Sequence, residues 1–413
     1  MQVLYFIPRY DRSAMGNRIH AEIIVEWRRR GVMAEVLTLS AGSAEITSAD
    51  EDGILVHRLP VSSALVLKLA NRALDIVLPY PYLAGAITQY RRFLRHRRYD
   101  LVHVETAFPL GLVTALVSAQ ESPPIAVTLP GADIMDEPEY DYGYGRFPAV
   151  RLLLPQIFRR AAVLRADSPQ IHDLAIQRGA DPQRVVAIPY NITADSFPPA
   201  GCTLTVLRAD SREAIVVRHG LDPQRPLVLS LNRLHPFKGI AYLVEALPHL
   251  LAQGIRPQVL IVGPNRVTPR FGDYGAYLRR RAHDLGVMAD VHFIGAVAHH
   301  QTLQYLAAAD AAVVPSVAES FSRVVVEAAA VGTPAVVTCT TGVSAYIADH
   351  QAGMIVEPRS GASIAAGLKH VLTDSGSWHT MSARAVAMAS RFSSAQIADE
   401  LLGLYARIAP IPA

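Results

Sequence analysis

Lysine is nearly missing from this sequence. Of 39 basic residues only Lys68, Lys238 and Lys369 are lysines, which singles out each remaining ammonium. Cysteine is equally scarce: Cys202 and Cys339 lie far apart without Cys-x-x-Cys spacing, which excludes a disulfide framework and a cysteine-based zinc site and fits a reducing cytoplasm. Strong net charge is absent as well. The 39 basic residues face 36 acidic ones, a net +3 over 413 residues, so no bulk field for nucleic acid exists and any anion site is local. No apolar run approaches the roughly 18 residues a spanning helix needs, and Val3 to Ile7 is too short for a secretory signal and lacks a preceding basic segment. A soluble or at most surface-bound cytoplasmic protein is expected. What is present points to a packed core: 51% of residues are hydrophobic and 18% charged, and at roughly 150 residues per domain the length predicts two or three domains.

Short β-rich runs alternate with helical patterns, beginning with Val3 to Ile7, the helical Ile19 to Arg30, and Ala34 to Leu39, then Leu101 to Glu105, Ile125 to Leu129 and Val163 to Ala166. The alternation restarts with Leu227 to Leu231, Gln258 to Gly263, Val291 to Ile294, Ala311 to Pro315 and Ala335 to Thr338. Such runs predict βα units on parallel sheets. The fold class is therefore α/β, two Rossmann-like doubly wound domains, residues 1–200 and 201–413, joined by a Pro- and Gly-bearing linker near 195–225. In open α/β sheets ligands gather at the carboxyl ends of strands, so the chemistry is expected there, in the crevice between the domains.

Two segments carry that chemistry. Strand Leu227 to Leu231 runs into Asn232-Arg233-Leu234-His235-Pro236-Phe237-Lys238-Gly239, placing two cations just past a strand end. Arg233 can fork onto phosphate oxygens, and Lys238 adds a compact charge. Strand Ala311 to Val314 runs into Pro315-Ser316-Val317-Ala318-Glu319-Ser320-Phe321-Ser322-Arg323 and a helix bearing Glu327. There Ser320 or Ser322 can cap the helix, and Glu319 and Glu327 can each accept a vicinal diol. Solvated loop charges and ordinary helix-surface glutamates are the bland readings of the same residues.

Taken in order, Arg233-x4-Lys238-Gly239, Ile261-Val262-Gly263, Val291-His292-Phe293-Ile294-Gly295, Pro315-Ser316, and Glu319-x7-Glu327 followed by Gly332-Thr333-Pro334 resemble glycosyltransferase family four. The resemblance implies the GT-B fold, a last helix that crosses back to the N-terminal domain, and retaining sugar transfer from a nucleoside diphosphate sugar without a metal or other cofactor. It places Arg233 and Lys238 on the donor diphosphate, Glu319 on the transferred sugar and Glu327 on the ribose. Gly263, Ile294, Ser320, Phe321 and Ser322 complete the donor site, Ser322 standing where the family commonly has glycine. Arg233, Lys238 and Glu319 form the expected catalytic set, the two cations stabilising the departing diphosphate as a metal does elsewhere.

The first half departs more from the family. The turn Pro8-Arg9-Tyr10-Asp11-Arg12-Ser13-Ala14-Met15-Gly16-Asn17-Arg18 corresponds to a glycine-rich donor loop, with Gly16 and Asn17 in place of a Gly pair. His103 lies on the strand Asp100 to Glu105, as a crevice residue or as a satisfied strand histidine. In Thr128-Leu129-Pro130-Gly131-Ala132-Asp133, Pro130 replaces the family's histidine and can neither donate nor accept a proton, so Asp133 becomes the acceptor-contact candidate. Residues 137–147 read as a mobile aromatic loop, with Tyr142 and Tyr144 as acceptor contacts of a lid or as an aromatic loop packed on its own domain. Leu83, Ile87, Tyr90 and Leu94 fall at helical spacing before Arg91, Arg92, Arg95, Arg97 and Arg98, a pattern compatible with an anionic membrane surface or with an ordinary crossover helix.

The expected activity is therefore transfer of a hexose-type residue to a hydroxyl acceptor, with lipid carrier, polysaccharide end and small molecule all compatible. The alternatives are a nucleotide-sugar 2-epimerase or hydrolase on the same fold and a sugar-nucleotide-binding protein without turnover.

Overall fold

The computed structural model describes residues 1–11, 15–41, 45–61, 65–117 and 122–409. Contacts divide the chain into two compact units, residues 1–190 with 394–413, and residues 191–393.

In the first unit the strands are β1 (Gln2–Phe6), β2 (Met33–Ser40), β3 (Thr47–Glu51), β4 (Ile54–Pro60), β5 (Leu101–Glu105), β6 (Ile125–Leu129), β7 (Val163–Ala166) and β8 (Val185–Ala187). They form one sheet in the order β3-β4-β2-β1-β5-β6-β7-β8, parallel except that β3 runs antiparallel to β4. Every residue of β5 and β6 is buried, as strands covered by helices on both faces require. The winding reverses between β1 and β5. The helix Met15–Arg29 and the last helix, Ser394–Ala406, share one apolar cluster that includes Trp27, Ile397, Leu401 and Tyr405. Arg30 fastens the pair by ion-pairing with Asp399 while also holding Glu26. The last helix thus packs within the first unit.

Two points of the sequence reading meet the structure here. The helix Leu83–Leu94 buries Leu83, Tyr90 and Phe93 in its own unit, and the Arg97 guanidinium lies 4.2 Å from the Phe93 ring centre. Arg91, Arg92, Arg95 and Arg98 on and after this helix are exposed. The chain does contain one Asp-x-Asp, Asp50-Glu51-Asp52, which the metal-free reading overlooked. It belongs to the β3–β4 hairpin, where Asp50 accepts the Gly53 N–H and Glu51 pairs with Arg58. No helix among the described residues is long and apolar enough to cross a membrane.

The second unit contains β9 (Leu227–Leu231), β10 (Gln258–Val262), β11 (Val291–Gly295), β12 (Ala311–Val314), β13 (Ala335–Thr338) and β14 (Gly353–Val356), all parallel, in the order β11-β10-β9-β12-β13-β14. Its winding reverses between β9 and β12. Two apolar clusters cover the two faces of this sheet, one built around Leu229, Leu260 and Val337, the other around Val228, Ile261 and Val336.

The segment expected as a linker is largely a sixteen-residue helix, Leu204–His219, capped by Thr203 and ended by Gly220 in the left-handed conformation. Its periodicity was weak for a physical reason. Only Ser211 and Ile215 on it are buried, and its inward positions include Arg208 and Arg212, which bind backbone carbonyls instead of filling a core.

Candidate active site

The β9 turn and the β12 loop meet across the point where the second sheet reverses. Lys238, buried at the end of the short helix Pro236–Lys238, ion-pairs with the Glu319 carboxylate, which also accepts from Ser316 Oγ at 3.3 Å. Backbone contact brings the loops this close. Val317 N donates to Phe237 O at 2.8 Å, and a Cβ on Gly239, whose φ is +67°, would lie 1.8 Å from Pro315 O, so only glycine fits. Gly263 makes the same concession after β10: at φ +145°, its missing Cβ would sit 1.9 Å from Asn232 O. Arg233, beside that contact, is exposed and has no hydrogen-bond or ion-pair partner among the described residues. The sequence thus placed two cations on one turn. The structure divides them into a guanidinium open to solvent and an ammonium held by Glu319.

Beyond Glu319 the chain passes Ser320, half-buried, and Phe321, buried against Phe392 at 5.7 Å, and reaches Ser322 at φ +80°, an uncommon conformation for a residue with a side chain. Ser322 occupies the N-cap of the helix Arg323–Ala330 but makes no side-chain capping bond. Neither serine caps through its side chain, contrary to expectation; instead Val325 N in the first turn donates to the Ser322 carbonyl at 3.3 Å. Glu327 on this helix is only 8% exposed, and no hydrogen-bond partner meets its carboxylate among the described residues. Burial pushes its carboxyl above the usual range, and Arg323 and His299 oppose the rise. His299 itself approaches Asp195 at 3.7 Å. Ile294 is half-buried at the end of β11, where Gly295 O accepts from Gly263 N at 2.8 Å.

The first unit behaves differently. Gly16 and Asn17 lie in the first turn of the helix Met15–Arg29, which begins earlier than expected, and Asn17 Nδ2 donates to Arg9 O at 2.5 Å. Arg12, Ser13 and Ala14 of the same predicted turn lie outside the described residues. His103 is fully buried, with Nε2 2.6 Å from Thr128 Oγ1 and Nδ1 bonded to Tyr405 Oη. Burial pushes its pKa down to about 3. It is a neutral strut of the core that offers no surface to an acceptor, so the acceptor-contact assignment is corrected. Residues 137–147 are likewise packed, not mobile. Tyr144 N donates to Ala132 O at 2.7 Å, its ring meets Phe108 at 5.0 Å, and Gly143 and Gly145 sit so close to Met135 and Ile134 that a Cβ would clash with their carbonyls. Tyr142 is half-buried and paired with Glu137.

Asp133 sits 1% exposed beyond β6, its Oδ2 accepting from Ala107 N at 2.6 Å and its Oδ1 without a hydrogen-bond partner among the described residues. Burial pushes its pKa up to about 7, with backbone N–H groups opposing. Its carboxyl therefore holds a proton more tightly folded than unfolded, and folding loses stability as pH rises from the ordinary carboxyl range to about 7. Asp133→Asn should gain on the parent by about 2–3 kcal/mol between pH 5 and pH 8 in urea unfolding. A pH-independent difference would count against this burial.

Sequence reasoning passed over one constellation. Glu105, 3% exposed at the end of β5, accepts from the hydroxyls of Tyr5 and Tyr190, with His20, His103 and Arg165 each 3.9 Å away. Burial pushes its pKa up, but the histidines, Arg165 and the Tyr190 hydroxyl together hold it below the usual value. The signal was available, since a carboxylate closing a fully buried strand requires partners.

Residues 15–191 match the model of the glycosyl transferase 4-like domain, and residues 211–388 match that of glycosyl transferases group 1. The D-inositol 3-phosphate glycosyltransferase of Nocardia farcinica is 28% identical, the match covering 92% of this chain and 82% of that protein. Its counterpart from Rhodococcus jostii is 27% identical over the same shares. Among solved structures, sucrose-phosphate synthase from Thermosynechococcus elongatus matches with a TM-score of 0.75 at 20% identity, covering 98% of this chain and 99% of that one. Anabaena HepE, solved in complex with UDP and glucose, matches at 0.71 and 20% identity over 98% and 100%. These structural likenesses establish the fold, GT-B.

Proposed function

Since the chain belongs to the family-four glycosyltransferases, its 4-like domain preceding its group 1 domain, we propose that it moves a sugar from a nucleoside diphosphate donor to a hydroxyl acceptor with the anomeric configuration retained. The observation that carries this reading is the meeting of Lys238 with Glu319 at the reversal of the second sheet, beside the unpartnered Arg233. Arg233 and Lys238 take the diphosphate, and Glu327, buried without a donor, takes the ribose diol. Glu319 turns to the hydroxyls of the transferred sugar once the diphosphate draws on Lys238.

In the reaction the bond from the anomeric carbon to the diphosphate oxygen breaks and the acceptor oxygen bonds to the same face. The acceptor proton passes to the departing phosphate, a route that needs no side chain where Pro130 stands. Two cations stabilise the charge that builds on the diphosphate, and no metal is required. In this reading the half-buried Tyr142 and Tyr144 of the first unit contact the acceptor, while the buried Asp133 supports the turn beneath them. Uridine diphosphate sugars are the first donors to test, because HepE binds UDP, and a cyclitol phosphate is the first acceptor, following the named activity of the Nocardia relative.

The test incubates purified protein and chelator with UDP-sugars, with and without the cyclitol phosphate and other hydroxyl acceptors. Acceptor-dependent release of UDP, with a product whose anomeric proton coupling matches the donor's, is expected. An inverted product, or sugar release that no acceptor stimulates, would overturn the reading.

A further inference from the structure

At the opposite end of the second sheet from Lys238 and Glu319, a cavity of about 420 Å³ opens beside the amino ends of β9 and β12. Its wall carries Arg208, Arg212 and Arg225, the Trp378 ring, Ser375 and a single carboxylate, Asp310. Charge here is unbalanced. Arg212 pairs with Asp310 at 2.8 Å, and Arg225 pairs with the buried Asp290 outside the wall, so within the cavity three guanidiniums face one carboxylate. Arg208 has no ion pair. It binds Val331 O, Thr333 Oγ1 and Ala309 O, all neutral, and lies 4.8 Å from the Trp378 ring centre. Those three bonds leave two of its five N–H groups unused among the described residues. Burial pushes its pKa down to about 10, with Asp310 opposing the fall and the neighbouring Arg212 adding to it. Arg208 thus shares the one carboxylate of the wall, Asp310, with Arg212, and a guanidinium so incompletely balanced away from water would be relieved by a bound anion.

Stapling backbone carbonyls would account for each arginine singly, but not for an open space lined by three arginines against one carboxylate and large enough for a small metabolite. We propose that this cavity is a second ligand site, for a phosphate monoester carrying a sugar-sized body. The phosphate sits on the guanidiniums, which suit its planar pairs of oxygens, and the body lies against Trp378. The site lies at the amino ends of the strands, so it is separate from the donor constellation and does not depend on the transfer reading.

Trp378 reports on it directly, since the only other tryptophan, Trp27, is buried in the first unit. Titration with a hexose 6-phosphate should change the tryptophan emission, and inorganic phosphate should bind at least about tenfold more weakly because it leaves the body's contacts unmade. Ser375→Glu adds a carboxylate at an exposed first-turn position, where the helix tolerates it, and should weaken binding at least about tenfold. Trp378→Phe should remove the optical signal while calorimetry still records binding. Neutralising Arg233 and Lys238 should leave the affinity unchanged. The proposal is overturned by no response up to about 10 mM, by equal affinity for the two phosphates, by indifference to Ser375→Glu, or by loss of binding in the Arg233 and Lys238 variant.

Discussion

Replacing Arg233 and Lys238 together by alanine is expected to lower kcat/KM for the sugar nucleotide by about 10⁴ or more, since each preorganised cation contributes on the order of 10² to transition-state stabilisation. The single variants should differ in kind. Arg233 is exposed and without a protein partner, so Arg233→Ala should leave thermal stability unchanged while donor turnover falls about a hundredfold. Lys238→Ala strips Glu319 of its counter-ion in a site that both side chains nearly bury, and should lower stability as well as turnover. Steady-state kinetics, calorimetric titration with UDP and thermal unfolding separate these effects. Retained donor affinity in the double variant would remove the second unit's turn from the binding site.

Glu327→Gln should move stability and activity in opposite directions. The carboxylate is buried without a hydrogen-bond donor, and burial raises its pKa, so the ionised form is a cost to the folded protein without ligand. The variant should therefore be the more stable protein above the ordinary carboxyl range, the advantage fading as pH falls toward it. Its kcat/KM for the donor should fall about a hundredfold, because an amide replaces a charged acceptor of two ribose hydroxyls. Urea unfolding at two pH values and donor kinetics test both halves. A variant that is less stable at every pH, with normal donor kinetics, would make Glu327 a structural residue.

How legible each part was followed from how local its cause is. The β9 and β12 strands are short, mostly apolar runs ending in turn residues, a pattern that needs no partner to be recognised. The glycines after them were legible as motif letters, but their reason is tertiary: Gly239 and Gly263 are required because Pro315 O and Asn232 O approach from other loops. The helix Leu204–His219 was read as linker because its inner face carries Arg208 and Arg212, so the apolar stripe that betrays a helix is thin. The loop at 137–147 was read as mobile from its glycines and acids. In fact those glycines let it press on the Ile134 and Met135 carbonyls.

Histidine 103 and Glu105 sit two residues apart on one strand, and their fates were set by side chains remote in sequence, Tyr405 and Thr128 for the first, Tyr5 and Tyr190 for the second. The sequence by itself determined two largely parallel α/β sheets and put the two cations and Glu319 at strand ends of the second, with Glu327 on the helix that follows, because hydrophobic periodicity and turn chemistry act over a few residues. Tertiary structure alone decided which charges are paired, which are buried without a partner, and which histidine belongs to the core. Burial and electrostatic pairing depend on distance in space, and that is set only when strands far apart along the chain are laid side by side.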